Sequence, residues 1–206
     1  ESRGDVQLSV YGEFLEKHPP VMDVEIYERS SWSCAHGVDR WYRHCGCNSG
    51  GRPGWNQQWR EPLRNALDWL RDTLAEAYDR EARGLLKDPW SARDDYIGVI
   101  LDRSPESVEA FFSRHARRRL SSENRVRALK LLEMQRHGLL MYTSCGWFFD
   151  EISGLETVQV LQYAGRALQL AAESTGEDHE AAFLDRLEGA QSNIPEHRDG
   201  RRVFER

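Results

Sequence analysis

The stretch that decides the fold runs Trp59-Arg60-Glu61-Pro62-Leu63-Arg64-Asn65-Ala66-Leu67-Asp68-Trp69-Leu70 and continues through Leu74, Ala77 and Tyr78. Trp59, Leu63, Ala66, Leu67, Leu70, Leu74, Ala77 and Tyr78 recur at helical spacing and trace one apolar stripe over about five turns. Pro62 is tolerable there because the first turn leaves its amides unpaired anyway. A helix of that length with one apolar face needs other helices to cover it, and the sequence on its C-terminal side supplies them.

Ser91 followed by Asp94 has the form of a capping box ahead of Tyr96 to Leu101, and Ser104-Pro105 reads as an N-cap with proline at the first helical position before Val108, Phe111 and Phe112. Ser121 or Ser122 opens a longer helix through Val126, Leu129 and Leu132, predicted to end near Gly138. Ser153 and Glu156 form a second capping-box pattern before Val158, Leu161, Ala164, Leu168 and Ala171, with a stop at Gly176. A last helix fits Glu180 to Gly189. On the N-terminal side, Val6, Val10 and Phe14 predict a helix up to Lys17, stopped by Pro19-Pro20; Met22, Val24 and Ile26 then alternate with polar residues as a short half-buried strand would. The fold class expected is therefore mainly α, a bundle of about six or seven helices with one short strand and one long loop. Residues 1–29 read as a lead-in from a preceding domain, 30–190 as the bundle, and 191–206 as the start of a following segment.

That loop, Ser30 to Trp59, has no periodicity, yet it holds five of the 16 glycines, three of the four cysteines and four of the seven tryptophans. So many tryptophans argue against disorder, and a long ordered loop is usually functional. A sugar ring offers an apolar face to an aromatic plane and needs polar partners for its hydroxyls. Trp32, Trp41, Trp55, Trp59 and Trp147 meet the first need; Ser31, His36, Asp39, Arg40 and Ser144 meet the second. For one ligand to use both, this loop and Thr143 to Phe149 must lie side by side. The same loop also carries Cys34, His36, Cys45 and Cys47, donors suited to zinc, with Cys145 as a further candidate. Their C-x-H and C-x-C spacings fall short of the two to four intervening residues usual within each pair, so no metal or other cofactor is expected, and a metal- or thiol-based module is the competing reading. Asp39, Asp150 and Glu151 are the carboxylates nearest the aromatic loops, but no motif marks a catalytic pair among them.

Composition narrows the partners. A net charge of −6 disfavours a general nucleic-acid binder, and no apolar run is long enough for a membrane span. Four clustered cysteines in 206 residues do not form a disulfide scaffold, so a reducing, cytoplasmic setting is expected. The chain begins at Glu1 without a signal-peptide pattern and reads as starting inside a longer protein. Of its 28 basic residues only Lys17, Lys87 and Lys130 are lysines.

Three strings together carry a resemblance: Ser30-Ser31-Trp32-Ser33-Cys34-Ala35-His36-Gly37-Val38-Asp39-Arg40-Trp41, then Cys45-Gly46-Cys47, then Thr143-Ser144-Cys145-Gly146-Trp147-Phe148-Phe149-Asp150-Glu151. They resemble the domain of unknown function 3536, a helical region that follows a catalytic barrel of the glycoside hydrolase family 57 type. More distantly, Ser30-Ser31-Trp32 and Ser144 to Phe149 are similar to loops, and Trp55 to Trp59 to a tryptophan-rich helix start, of the family 57 branching enzymes, whose helical domain packs on the barrel and helps wall the glucan cleft. The resemblance implies that Trp32 and Trp147 line such a cleft, that the partners are an upstream barrel of the same polypeptide and a carbohydrate of the α-glucan type, and that the catalytic carboxylates lie on the barrel. The chain departs from those relatives at Cys145, where they have serine, and at Gly146, where they have aspartate.

Overall fold

The computed structural model of the chain describes residues 6–206 and divides it into two compact units, one ending at Ser30 and the other running from Ser31 to Arg206. Among the described residues of the first unit α1 (Tyr11–Lys17) is the only helix. It begins later than its apolar spacing predicts, at Val10, which offers no side chain to cap the first turn. The predicted strand at Met22, Val24 and Ile26 is absent. Those side chains are 81%, 85% and 80% exposed, and no segment among the described residues pairs with their backbone. Alternation describes a strand only where a partner satisfies its amides and a core covers one face.

The second unit is a helical bundle built on α2 (Arg60–Ala82), whose Leu63, Ala66, Leu67, Leu70, Leu74, Ala77 and Tyr78 are buried as the stripe predicts. Between α2 and the next long helix lie α3 (Pro89–Asp95), α4 (Ile97–Leu101) and α5 (Pro105–His115). The cap ahead of this group is not Ser91. Asp88 accepts from the amides of Trp90 and Ser91 at 3.0 and 3.2 Å, with Pro89 at the first helical position. Ser104 and Ser121 cap α5 and α6 (Ser122–Leu140) as expected, accepting from Ser107 N and Asn124 N.

α6 runs past Gly138, which is buried within it, and packs against α2 on one side and α7 (Leu155–Thr175) on the other. Being covered on two faces, it buries Ala128, Leu131, Leu132, Met134 and Gln135 around much of its circumference. The one polar group among them is satisfied, Gln135 Nε2 donating to Leu74 O at 2.9 Å. α7 starts without a side-chain cap, because its N-cap residue is Gly154; Ser153 lies one residue ahead and gives its amide to Glu151 Oε1 at 3.1 Å. It ends where expected, at Gly176 in the left-handed conformation (φ 82°).

After α8 (Glu180–Leu187) the chain makes a 3-10 turn at Pro195–His197 and ends in α9 (Gly200–Phe204), with Val203 buried. Residues 191–206, read from sequence as opening a following segment, thus belong to the same compact unit and lie against α7 and α8. The bundle has more, and shorter, helices than the six or seven expected: eight, α2 to α9, which with α1 make nine α-helices and no strand among the described residues. No helix among them is long and apolar enough to cross a membrane.

A 3-10 turn at Ser144–Trp147 is pressed onto α7 so closely that a Cβ on Gly146 would lie 2.4 Å from Val160 Cγ2 and 3.2 Å from Glu156 O. A side chain here has no room while the turn stays in place. Two consequences are measurable by urea denaturation. Leu70→Ala, at a wholly buried position on α2, should cost about 2–5 kcal/mol. Gly146→Ala should cost about 1–3 kcal/mol through overpacking, and Gly146→Asp more.

Candidate functional site

The two loops singled out from sequence meet at the N-terminal end of α2, and arginines join them. Arg40, buried in a 3-10 turn (Asp39–Trp41), donates to Phe148 O at 2.7 Å and to Ser33 O at 2.8 Å, its guanidinium lying over the Phe148 ring. Trp41 Nε1 donates to Ser144 O at 3.2 Å. Arg60, wholly buried, donates to Phe149 O at 3.1 Å and Phe148 O at 3.4 Å, and turns Nη1 toward Cys45 Sγ at 3.7 Å. The expected side-by-side arrangement is therefore present, held by side-chain to backbone hydrogen bonds.

The aromatic candidates separate into two groups. Trp32 is 92% exposed, its ring 6.3 Å from that of Phe148. Trp41 and Trp55 are half-buried. Trp59 and Trp147 instead stack on each other at 6.2 Å in the core, 0% and 1% exposed, and Trp59 Nε1 donates to Asp150 O at 3.0 Å. Neither offers a face to a ligand, which corrects their reading as sugar platforms: two large apolar rings at the mouth of a helical core are more stable inside it. Of the polar candidates, Arg40 faces inward, Asp39 pairs with Arg43 at 3.0 Å, and His36 and Ser144 are exposed.

Asp150 and Glu151 are buried and fully engaged. Asp150 accepts from Ser49 N (3.2 Å), Ser49 Oγ (3.3 Å) and Gln57 Nε2 (2.7 Å); Glu151 accepts from Ser153 N (3.1 Å), Ser192 Oγ (2.6 Å) and Asn193 N (2.8 Å). Asn193 completes the clasp by donating to Asn56 O and Asp150 O, both at 2.8 Å. Gln57 and Asn193 were missed in the sequence because an isolated amide carries no signal until its partners are known. At this clasp a cleft of about 510 Å³ opens between Trp55 and Phe149, lined also by Asp150, Glu151, Ser49, Ser153, Glu156 and Ile194. It combines apolar planes with hydroxyls and carboxylates, the lining that suits a polar ring compound.

Next to the aromatic face, the four donor atoms of Cys34, His36, Cys45 and Cys47 all lie within 4.8 Å of one another, with Cys47 Sγ 3.4 Å from His36 Nδ1. Two tight turns achieve this. Gly37 (φ 73°) closes one by donating its amide to Cys34 O at 3.2 Å, and Gly46 (φ 79°) stands between Cys45 and Cys47. Burial pushes the Cys34 thiol up, but hydrogen bonds from the amides of His36 and Arg40, from the His36 ring and from Cys45 outweigh it and hold it at about 7. Burial pushes Cys45 up, the neighbouring Cys34 adds to the rise, and the Cys47 amide opposes it. Cys145 is exposed and is not among the four grouped side chains. The donor set is one that binds borderline-soft cations.

Residues 55–206 match the sequence model of one family, whereas the Cys/His turns of residues 34–47 precede the matched region. No curated protein matches the chain, and no solved structure does. The match covers α2 to α9 together with the second loop, its buried carboxylates and the Asn193 clasp, and on that extent the chain belongs to the family described as "Domain of unknown function (DUF3536)".

Proposed function

We propose that this chain is an accessory helical domain of a glycoside hydrolase family 57-type protein, contributing an aromatic surface to a carbohydrate cleft formed with an upstream catalytic barrel of the same polypeptide. One observation carries the reading: the Trp32 ring stands almost fully in solvent on a loop otherwise locked in place by Arg40 and Trp41. An indole held out from an ordered loop costs hydrophobic free energy unless a ligand or a partner covers it. The Trp55–Phe149 cleft, with Ser49, Ser153 and Glu156 at its edge, extends the polar and aromatic character that a glucan chain recognises.

The fully engaged Asp150 and Glu151 support the accessory role. Retaining glycosidases need a carboxyl pair about 5–5.5 Å apart, free to exchange protons with substrate, whereas each oxygen of these two is held by hydrogen bonds. Catalysis belongs to the barrel in this reading, and the helical domain acts through binding.

In the protein carrying both domains, Trp32→Ala should weaken α-glucan binding by roughly 1–3 kcal/mol, the order found for stacking on aromatic side chains, while folding stability changes by less than about 0.5 kcal/mol. Trp147→Ala should instead cost about 3–5 kcal/mol of folding stability, because it empties a core position. Wild-type glucan affinity in the Trp32 variant would refute the cleft assignment. The isolated chain should release no sugar from an α-glucan; release abolished by Asp150→Asn would mean that the catalytic centre is here after all.

A further inference from the structure

We propose that Cys34, His36, Cys45 and Cys47 form a structural zinc site that pins the irregular loop to the start of α2. The inference is independent of the carbohydrate reading and rests on the placement of these side chains. In a tetrahedral site with Zn–S of about 2.3 Å the donor atoms stand about 3.8 Å apart. Here the four donors lie within 4.8 Å of one another, and the His36 to Cys47 edge is already 3.4 Å. Closing the remaining edges takes shifts of an ångström or less, which side-chain rotation supplies.

A second observation points the same way. Arg60 is wholly buried, aims Nη1 at Cys45 Sγ, and leaves its Nε without a hydrogen-bond partner; Arg40 is buried nearby and also leaves Nε unpaired. Two interior cations held mainly by carbonyl groups favour a neighbouring negative charge. Three thiolates, one neutral imidazole and one zinc ion carry a net single negative charge, placed against Arg60. Binding releases the thiol protons to solvent, and an outer hydrogen bond is already formed, Gln57 Nε2 donating to Cys47 O at 3.1 Å.

With four protein donors the site is closed, so its role is to order the chain and not to activate water. The loop needs such a staple. Between Ser31 and Arg60 its regular structure is the short turn at Asp39–Trp41, and few of its side chains reach the core.

The test uses the 206-residue chain, purified under reductant and dialysed, with metal content measured by mass spectrometry and donors read from cobalt(II) spectra. About one zinc per chain is expected, exchangeable for cobalt with the thiolate-to-metal charge transfer and intense visible bands of a tetrahedral thiolate site. Cys47→Ser should weaken cobalt binding more than about 100-fold, beyond what loss of an outer-shell partner brings. His36→Ala, at an exposed position, should keep the fold by circular dichroism while shifting the visible bands. Cys145→Ser should change nothing. The proposal fails if the reduced protein holds no zinc and all four thiols react freely, if it holds iron instead, if two of the three loop cysteines are joined as a disulfide, or if the folded Cys47 variant binds cobalt like the parent.

Discussion

The Arg60 guanidinium is buried completely in the first turn of α2, and the arrangement of both loops follows from the need to satisfy it. A cation in that position is doubly unfavourable, since burial removes its water and the helix N-terminus is itself electropositive. Burial accordingly lowers its pKa, and Arg40 nearby adds to the fall. Compensation comes from the carbonyl oxygens of Phe148 and Phe149, the sulfur of Cys45 and the charge of Asp150. Those groups lie on both loops, so seating Arg60 fixes where each loop passes. Arg40 repeats the device from the other side, reaching Phe148 O from the first loop.

The buried acids answer the buried bases. Asp150 and Glu151 stand where a reader of the sequence looks for catalysis, next to aromatic residues and ahead of a helix, yet every partner they have is structural. Through Ser49, Gln57, Ser192 and Asn193 they bind three segments far apart in sequence to one point. Trp55 and Phe149, which flank these buried acids, keep part of their rings in solvent.

The preference for arginine over lysine has a structural use that composition alone did not disclose. Arg64 lies between the rings of Tyr42 and Tyr142 at 4.4 and 4.6 Å, Arg186 lies 3.9 Å from the Trp69 centroid, and Arg93 and Arg125 cover Trp90 and Phe112. A planar guanidinium stacks on an aromatic face and still donates at its edges, as Arg64 does to Asp68 and to Trp41 O. An ammonium group has no plane to lay against a ring, so arginine covers these aromatic side chains in a way that lysine cannot.

By itself the sequence determined the long helices and most of their ends, because those depend on information within a few residues: the apolar stripe of α2, the Ser104 and Ser121 caps, and the left-handed Gly176 that stops α7. It misled wherever the answer lay with a distant partner. Met22, Val24 and Ile26 alternate but have no strand to pair with, and Trp59 and Trp147 look like Trp32 until the core closes over them. The C-x-H and C-x-C spacings, taken as two separate pairs, carry no sign that their four side chains meet. Tertiary structure brings the two pairs together: left-handed glycines fold each turn back on itself, and arginine hydrogen bonds across roughly a hundred residues of chain set the loop that carries them. Local periodicity cannot encode that closure, since it is enforced only by groups that meet after the chain has folded.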